Sequence, residues 1–342
     1  MIRAPAAALI LALLAAAAPA ERTAAPIAGT CQQGPIGGDS FCRLKSVRIH
    51  YVDHGGNGPP LILLAGLGGT ARIFDDFVPL LRQGHRVIAV TRRGYGQSSD
   101  ALDGDYSNAA LVDDLVHLMD RLRIDRASFI GHSLAGGELA TLGALHPNRV
   151  DRLIYLDAAY DRSEVPALMA HIPAMPSPSP DVLASLDAFS RWRQQSLGVD
   201  SKAVAADVAQ TMRPSPKGLI PRTSSTVAAA ILAGDIAARP RWEEIAAPSL
   251  AIYSSKDVAE QVPPDATPAQ RAAFIDYSVR VLRPWMLRQQ AEFLARRKCG
   301  AAIEVPHSGH HLFLERQNWL AERILAFLAT GTPCAARFDD RL

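Results

Sequence analysis

Ser133 stands in Phe129-Ile130-Gly131-His132-Ser133-Leu134-Ala135-Gly136-Gly137, where a short apolar run meets a Gly-flanked serine and then helix-forming residues. On such a strand-to-helix turn a serine is held at positive φ and its hydroxyl stands clear of the sheet. The backbone N–H groups that follow point at any anion beside it. A serine hydroxyl is a weak nucleophile, so it needs a base within hydrogen-bond reach and an acid that fixes the base's tautomer and stabilises its cation. His310, in Val305-Pro306-His307-Ser308-Gly309-His310-His311, is the expected base, with His307 and His311 as rivals. For the acid, Asp257 follows the apolar run Leu250-Ala251-Ile252-Tyr253, and Asp157, at the end of Leu153-Ile154-Tyr155-Leu156, is the alternative. No carboxylate motif accompanies the three histidines, so no metal site is read there.

The elements that must position these groups follow from the apolar runs. Residues 47–52 alternate as a half-buried strand, whereas 61–64, 87–90, 128–130 and 153–156 are continuous apolar runs of the kind that sheets bury on both faces. Helical spacing falls between them: Leu111, Leu115, Leu118 and Leu122 recur at three and four residues behind a capping Asn108, and 134–145 forms the helix behind the serine until His146-Pro147-Asn148 stops it. Strands alternating with helices predict a doubly wound, mostly parallel α/β sheet. From 158 to 244 the pattern loosens, with Pro173, Pro176, Pro178 and Pro180 crowded together and short Ala-rich helical pieces behind them.

Five motifs occur in order: Pro60 to Gly69, which ends in glycines; Val87 to Val90 followed by Arg92-Arg93-Gly94-Tyr95-Gly96-Gln97-Ser98; the serine turn; Pro248 to Asp257; and Ile303 to His310. With Ser, Asp and His in that chain order, residues 44 to 330 resemble the α/β-hydrolase superfamily, in its branch of small capped hydrolases related to bacterial esterases. The resemblance implies a core in two parts, 21–157 and 245–342, with a helical cap inserted at 158–244. It also implies a catalytic set of Ser133, Asp257 and His310, and oxyanion donors from the backbone N–H groups of Leu67 and Leu134. The activity implied is that of a carboxylesterase acting on a small or medium ester through an acyl-enzyme, with no cofactor. A lactonase, an amidase or an aminopeptidase needs the same triad, and lyases and non-catalytic binding proteins also use this scaffold. Two departures stand out: Ala135 replaces the last glycine of G-x-S-x-G, with Gly136 one place late, and Ala65 stands where the family commonly has histidine.

Residues 1–20 carry Arg3, an apolar run from Ala4 to Ala18 and then Ala18-Pro19-Ala20, the three-part pattern of a secretory signal peptide, and the run is shorter than the roughly 20 residues of a membrane span. Export, periplasmic or secreted, is therefore expected, with no stable membrane insertion after cleavage. In an oxidising compartment the four cysteines are expected to form disulfides; three pairings are formally possible, and the local one joins Cys31 with Cys42 and Cys299 with Cys334. A net charge of +2 leaves no electrostatic reason to invoke nucleic acid, and the expected partner is a small-molecule ester. Arg92-Arg93 and Arg296-Arg297-Lys298 read as solvated faces or helix ends. Glu138, in the first turns behind Ser133, is favoured by the helix dipole.

Overall fold

The computed structural model describes residues 30–329, apart from 175, 256–261 and 263–265. The expected signal peptide, Asp257 and Cys334 thus lie outside the described residues. Among the described residues eleven strands occur: β1 (Cys31–Gln32), β2 (Asp39–Arg43), β3 (Arg48–Asp53), β4 (Pro60–Leu64), β5 (Arg86–Thr91), β6 (Ala127–His132), β7 (Val150–Leu156), β8 (Met212–Ser215), β9 (Gly218–Pro221), β10 (Ser249–Ser254) and β11 (Gly300–Val305). The helices are α1 (Val78–Leu81), α2 (Asn108–Arg121), α3 (Ala135–Leu145), α4 (Val165–Met169), α5 (Leu186–Leu197), α6 (Lys202–Thr211), α7 (Ser225–Ala237), α8 (Pro268–Tyr277), α9 (Arg283–Arg296), α10 (Leu312–Glu315) and α11 (Gln317–Ala329). None of the described helices is long and apolar enough to cross a membrane.

Nine strands form one sheet in the order β1-β2-β3-β5-β4-β6-β7-β10-β11, parallel from β5 to β11 and antiparallel from β1 to β3. Strand alternation divides the apolar runs between two cores. Ile62, Leu64, Phe129 and Tyr155 pack with Leu115, Leu118 and Leu139 of α2 and α3 and with Phe293 of α9. Leu61, Leu63, Ile130 and Leu156 turn the other way, onto Phe74, Phe77, Ile324 and Phe327. Each strand is thereby buried on both faces, which is why its sequence reads as a continuous apolar run rather than an alternating one. Ser107, one residue before the expected cap, caps α2 by accepting from the Ala110 N–H.

Between β7 and β10 lie α4 to α7 together with the antiparallel hairpin β8–β9, which helical spacing does not foretell. The edge strands β1 and β2 are also new. They are short and polar, and they are held by the disulfide between Cys31 and Cys42, which face each other across the ladder. Cys299 is disulfide-bonded as well.

With 11 residues of separation, the Cys31–Cys42 bridge is expected to contribute about 3 kcal/mol by restricting the unfolded chain. The C31S/C42S double variant should therefore unfold several degrees lower by circular dichroism, and an unchanged midpoint refutes this account.

Candidate active site

The sheet register brings Ser133, Asp157 and His310 to one edge, outside the C-terminal ends of four parallel strands. Backbone bonds continue the ladder just past those ends. The Ser133 N–H donates to Leu156 O at 3.0 Å, Asp157 N–H to Ile252 O at 2.7 Å, and Ser255 N–H to Ser308 O at 3.1 Å. Ser133 has φ +54°, Asp157 +47° and His307 +50°, three of the four non-glycine residues at positive φ among those described. Strain of this kind persists only where the surroundings over-determine it, and here it sits at the ends of β6, β7 and β11.

At Ser133 the turn works because its neighbours are small. A Cβ on Gly136 would lie 1.9 Å from the Ala158 carbonyl oxygen, so the glycine that arrives one place late is the one the close approach requires. Ala135 is fully buried without such a clash. On the opposite side, a Cβ on Gly66 would lie 3.0 Å from Ser133 Cβ, which places the loop carrying Leu67 directly against the serine.

His310 Nδ1 lies 2.7 Å from Asp157 Oδ2, the carboxylate nearly buried and the imidazole one-third exposed. Asp157 also accepts from Ser254 Oγ at 3.0 Å and from the Tyr160 hydroxyl. Burial alone would push its carboxyl up. The bonds from His310, Tyr160 and Ser254 prevail and hold it below the ordinary carboxylate value. Tyr160 is driven the other way, well up, by burial and by the carboxylate beside it. Among the described residues the carboxylate at the imidazole is Asp157, the alternative acid, while Asp257 lies outside them; Ser254, at the end of the strand that leads to Asp257, gives a hydroxyl to Asp157. Neither Tyr160 nor Ser254 carries a signal in the sequence beyond standing beside a strand end.

Of the rival histidines, His311 stands at the N-terminus of α10 with its ring 5.4 Å from that of His310. His307 is exposed on its strained turn. His132 is buried, its Nε2 donates to the His310 carbonyl at 2.9 Å, and its ring lies 4.6 Å from that of His310 and 5.0 Å from that of His311. The Gly309 N–H, just before His310, donates to the Glu315 carboxylate at 3.1 and 3.2 Å. The imidazole of His310 is thus fixed through its own ring nitrogen, its carbonyl and the residue before it.

Of the basic clusters, Arg296 and Lys298 are exposed at the end of α9 as expected, whereas Arg92, Arg93 and Arg297 are buried. Arg92 is buried and ion-paired to Glu138 at 2.6 Å, while Arg93 makes two bonds of 2.6 and 2.7 Å to Asp114. Arg297 is buried too, donating to the carbonyls of Trp242, Ile245 and Ala247. Such groups tolerate burial because every guanidinium finds acceptors. Glu138 is accordingly the buried partner of Arg92, and burial pushes its carboxyl up against the pull of that arginine.

Residues 59–258 match the family model described as the alpha/beta hydrolase fold, more than half of the chain. The chain belongs to the α/β-hydrolase family. Among curated relatives, a protein of Variovorax paradoxus that carries the name carbamate hydrolase RutD is 38% identical over 112 residues, 32% of this chain and 42% of that one. The esterase YbfF of Escherichia coli is 32% identical over 114 residues, 33% of this chain and 44% of its own. The chain thus spans less than half the length of these relatives. Across nearly the whole fold, it is similar to E-2-(acetamidomethylene)succinate hydrolase, with a TM-score of 0.60, 18% identity and coverage of 89% of this chain and 100% of that one. The enol-lactonase of Burkholderia xenovorans gives 0.53, 20% identity and coverage of 83% and 97%. Within the α/β-hydrolase fold, the site described above occupies the strand-end edge of the sheet.

His132 and His311 are both held well below the ordinary imidazole value of 6.5, by burial first and then by the neighbouring histidines. They stay neutral in the fold while the unfolded chain takes up protons below that value, so stability rises with pH through this range and falls on acidification. Asp157 adds a loss of the same sign at lower pH, as its own depressed titration is reached. Melting temperature should accordingly be nearly flat above neutrality and fall as pH drops below 6.5. His311→Asn should flatten that fall, and an unaltered slope in this variant contradicts the assignment.

Proposed function

We propose that the protein is a serine hydrolase, a carboxylesterase cleaving small or medium esters through an acyl-enzyme, with Ser133 as nucleophile, His310 as base and Asp157 as acid. The observation that carries this reading is the 2.7 Å bond from His310 Nδ1 to Asp157 beside a serine at positive φ. Because Nδ1 must carry the proton that bonds the carboxylate, Nε2 is left as the free base. In the proposed mechanism Nε2 takes the Ser133 proton as Oγ attacks the ester carbonyl, and the imidazolium that forms is stabilised by Asp157. The carbonyl electrons move onto oxygen, where the N–H groups of Leu67 and Leu134 receive the negative charge. Collapse expels the alcohol, which takes the proton back from His310. A water molecule activated by the same imidazole then releases the acid.

Tyr95, Tyr106, Leu111, Leu134 and Ile231 form one buried cluster with Leu67, Val227 and Leu232 packed on it. Apolar walls against both amide donors, drawn partly from α7, favour a hydrocarbon acyl group and keep water from the reacting carbonyl. The residues 158–244 serve in this reading as the cap. The Cys31–Cys42 bridge supports export, since such bonds persist in oxidising compartments.

Ser133→Ala should abolish turnover of p-nitrophenyl esters and labelling by a fluorophosphonate, and labelling that survives this change removes Ser133 from the mechanism. His310→Ala should lose at least about 10³-fold in turnover. Asp157→Asn, checked for folding, should lose about 10²- to 10⁴-fold. A well-folded Asp257→Asn more damaging than Asp157→Asn would transfer the acid's role to Asp257. Lactones, carbamates and aminoacyl anilides run beside the ester series test the leaving-group class.

A further inference from the structure

The two amides assigned to the oxyanion belong to two peptide units, and each unit has a carbonyl on its far side. Leu67 N–H shares its unit with the Gly66 carbonyl, and Leu134 N–H shares its unit with that of Ser133. A trans peptide is planar, with its C=O and N–H pointing in opposite directions, and no cis bond occurs among the described residues. Whatever grips the carbonyl therefore aims the amide.

Both carbonyls are gripped by arginine. Arg92 Nη1 donates to Gly66 O at 2.7 Å and its Nη2 to Ala65 O, while Glu138 Oε1 accepts from Arg92 Nε at 2.9 Å and from Nη2 at 2.6 Å. Arg162 Nη2 donates to Ser133 O at 2.5 Å, with Nη1 3.5 Å from Asp235 Oδ2. The Arg162 side chain is 11% exposed and that of Asp235 1%. Asp235 belongs to α7, and it lies so close to α3 that a Cβ on Gly137 would meet Oδ1 at 1.8 Å. Asn108 Nδ2 holds the same oxygen at 3.1 Å. Each carbonyl also accepts one backbone N–H, from Gly69 at 3.2 Å and Gly136 at 3.0 Å respectively.

We propose that Arg92 and Arg162 are positioning residues that aim and polarise the two oxyanion N–H groups from the carbonyl side of their peptides, an inference that rests on the Ser133 reading above. A charged donor on a carbonyl draws electron density through the conjugated amide, so its N–H becomes a stronger donor to developing negative charge. The paired carboxylates keep each cation tolerable in a buried place. Arg92 and Glu138 hang entirely on the core. Arg162 leads through Asp235 to α7, so the seating of that helix reaches the Leu134 amide. The pair at Arg92 also supplies support for a loop that lacks the family's usual histidine at position 65.

The test uses the mature enzyme as R162M, R162K and E138Q, with S133A as control, measured for kcat and KM on a p-nitrophenyl ester and for inhibition by an alkyl trifluoromethyl ketone, whose serine adduct is an oxyanion. R162M should lower kcat about 10- to 100-fold and weaken the ketone by a similar factor, with KM within about threefold. R162K, which restores a charged donor, should recover part of both. A purely structural contact would alter folding or KM without this parallel, so a fall in kcat with unchanged ketone affinity overturns the proposal, as does a change in KM alone. If R162M does not fold, R162K and E138Q are judged by the same parallel. Turnover or ketone binding that persists in S133A instead overturns the reading of Ser133 itself, and the proposal falls with it.

Discussion

The staggered hydrogen bonds that continue the parallel ladder beyond β6, β7, β10 and β11 are the constraint on which the site depends. Ser133 is tied to Leu156, Asp157 to Ile252 and Ser255 to Ser308, so the four segments that follow these strands leave the sheet from fixed heights. With those heights set, Asp157 and the loop of His310 meet at 2.7 Å although 153 residues separate them in the chain. A slip of one residue in any strand would turn the same side chains to the other face of the sheet and scatter the group. The two cores, one on each face, hold the register by burying alternate residues of every central strand.

Around this frame the polar groups are arranged by pairing rather than by exposure. Asp157 collects hydrogen bonds from an imidazole, a phenol and a serine hydroxyl, which together outweigh the burial that would otherwise neutralise it. His132, pressed against His310, stays neutral and spends its Nε2 proton on a backbone carbonyl. A partly exposed imidazole with a buried partner and a neutral neighbour is suited to cycle its own proton without competition from a second base. The departures from the family pattern make sense in the same terms. Ala135 fits because the tight approach falls at Gly136, and the loop around Ala65 is held by Arg92 through two carbonyls.

Much was legible in the residues themselves. Continuous apolar runs, a serine between a strand and a helix, and a Gly-His turn behind the last strand are local signals with local causes: backbone strain, helix capping and double-sided burial. They suffice for the parallel sheet, the strand-to-helix turn at Ser133 and the place of His310; the bridge between Cys31 and Cys42 was one of three formal pairings until the ladder of β1 and β2 set the two cysteines opposite each other. Local signals failed where a short segment takes its structure from distant partners. The hairpin β8–β9 and the polar edge strands β1 and β2 have no periodic signature strong enough to stand apart from loop.

The choice of carboxylate lay beyond the sequence alone. Asp157 and Asp257 both follow apolar strands, and composition cannot tell whether Asp157 reaches the imidazole. Only the spatial order of β7, β10 and β11 brings Asp157 to His310 Nδ1. The arginines show the same division. Arg92, Arg93 and Arg297 look like surface charge because solvated arginine is the common case, and burial is decided by acceptors far away in the chain, Glu138 at 46 residues for Arg92 and Ile245 at 52 for Arg297. The identities of the candidate groups are thus written locally, because strand ends and tight turns are local. Their partners are decided by tertiary structure, because a buried charge is stabilised only by whatever the fold brings within hydrogen-bond reach.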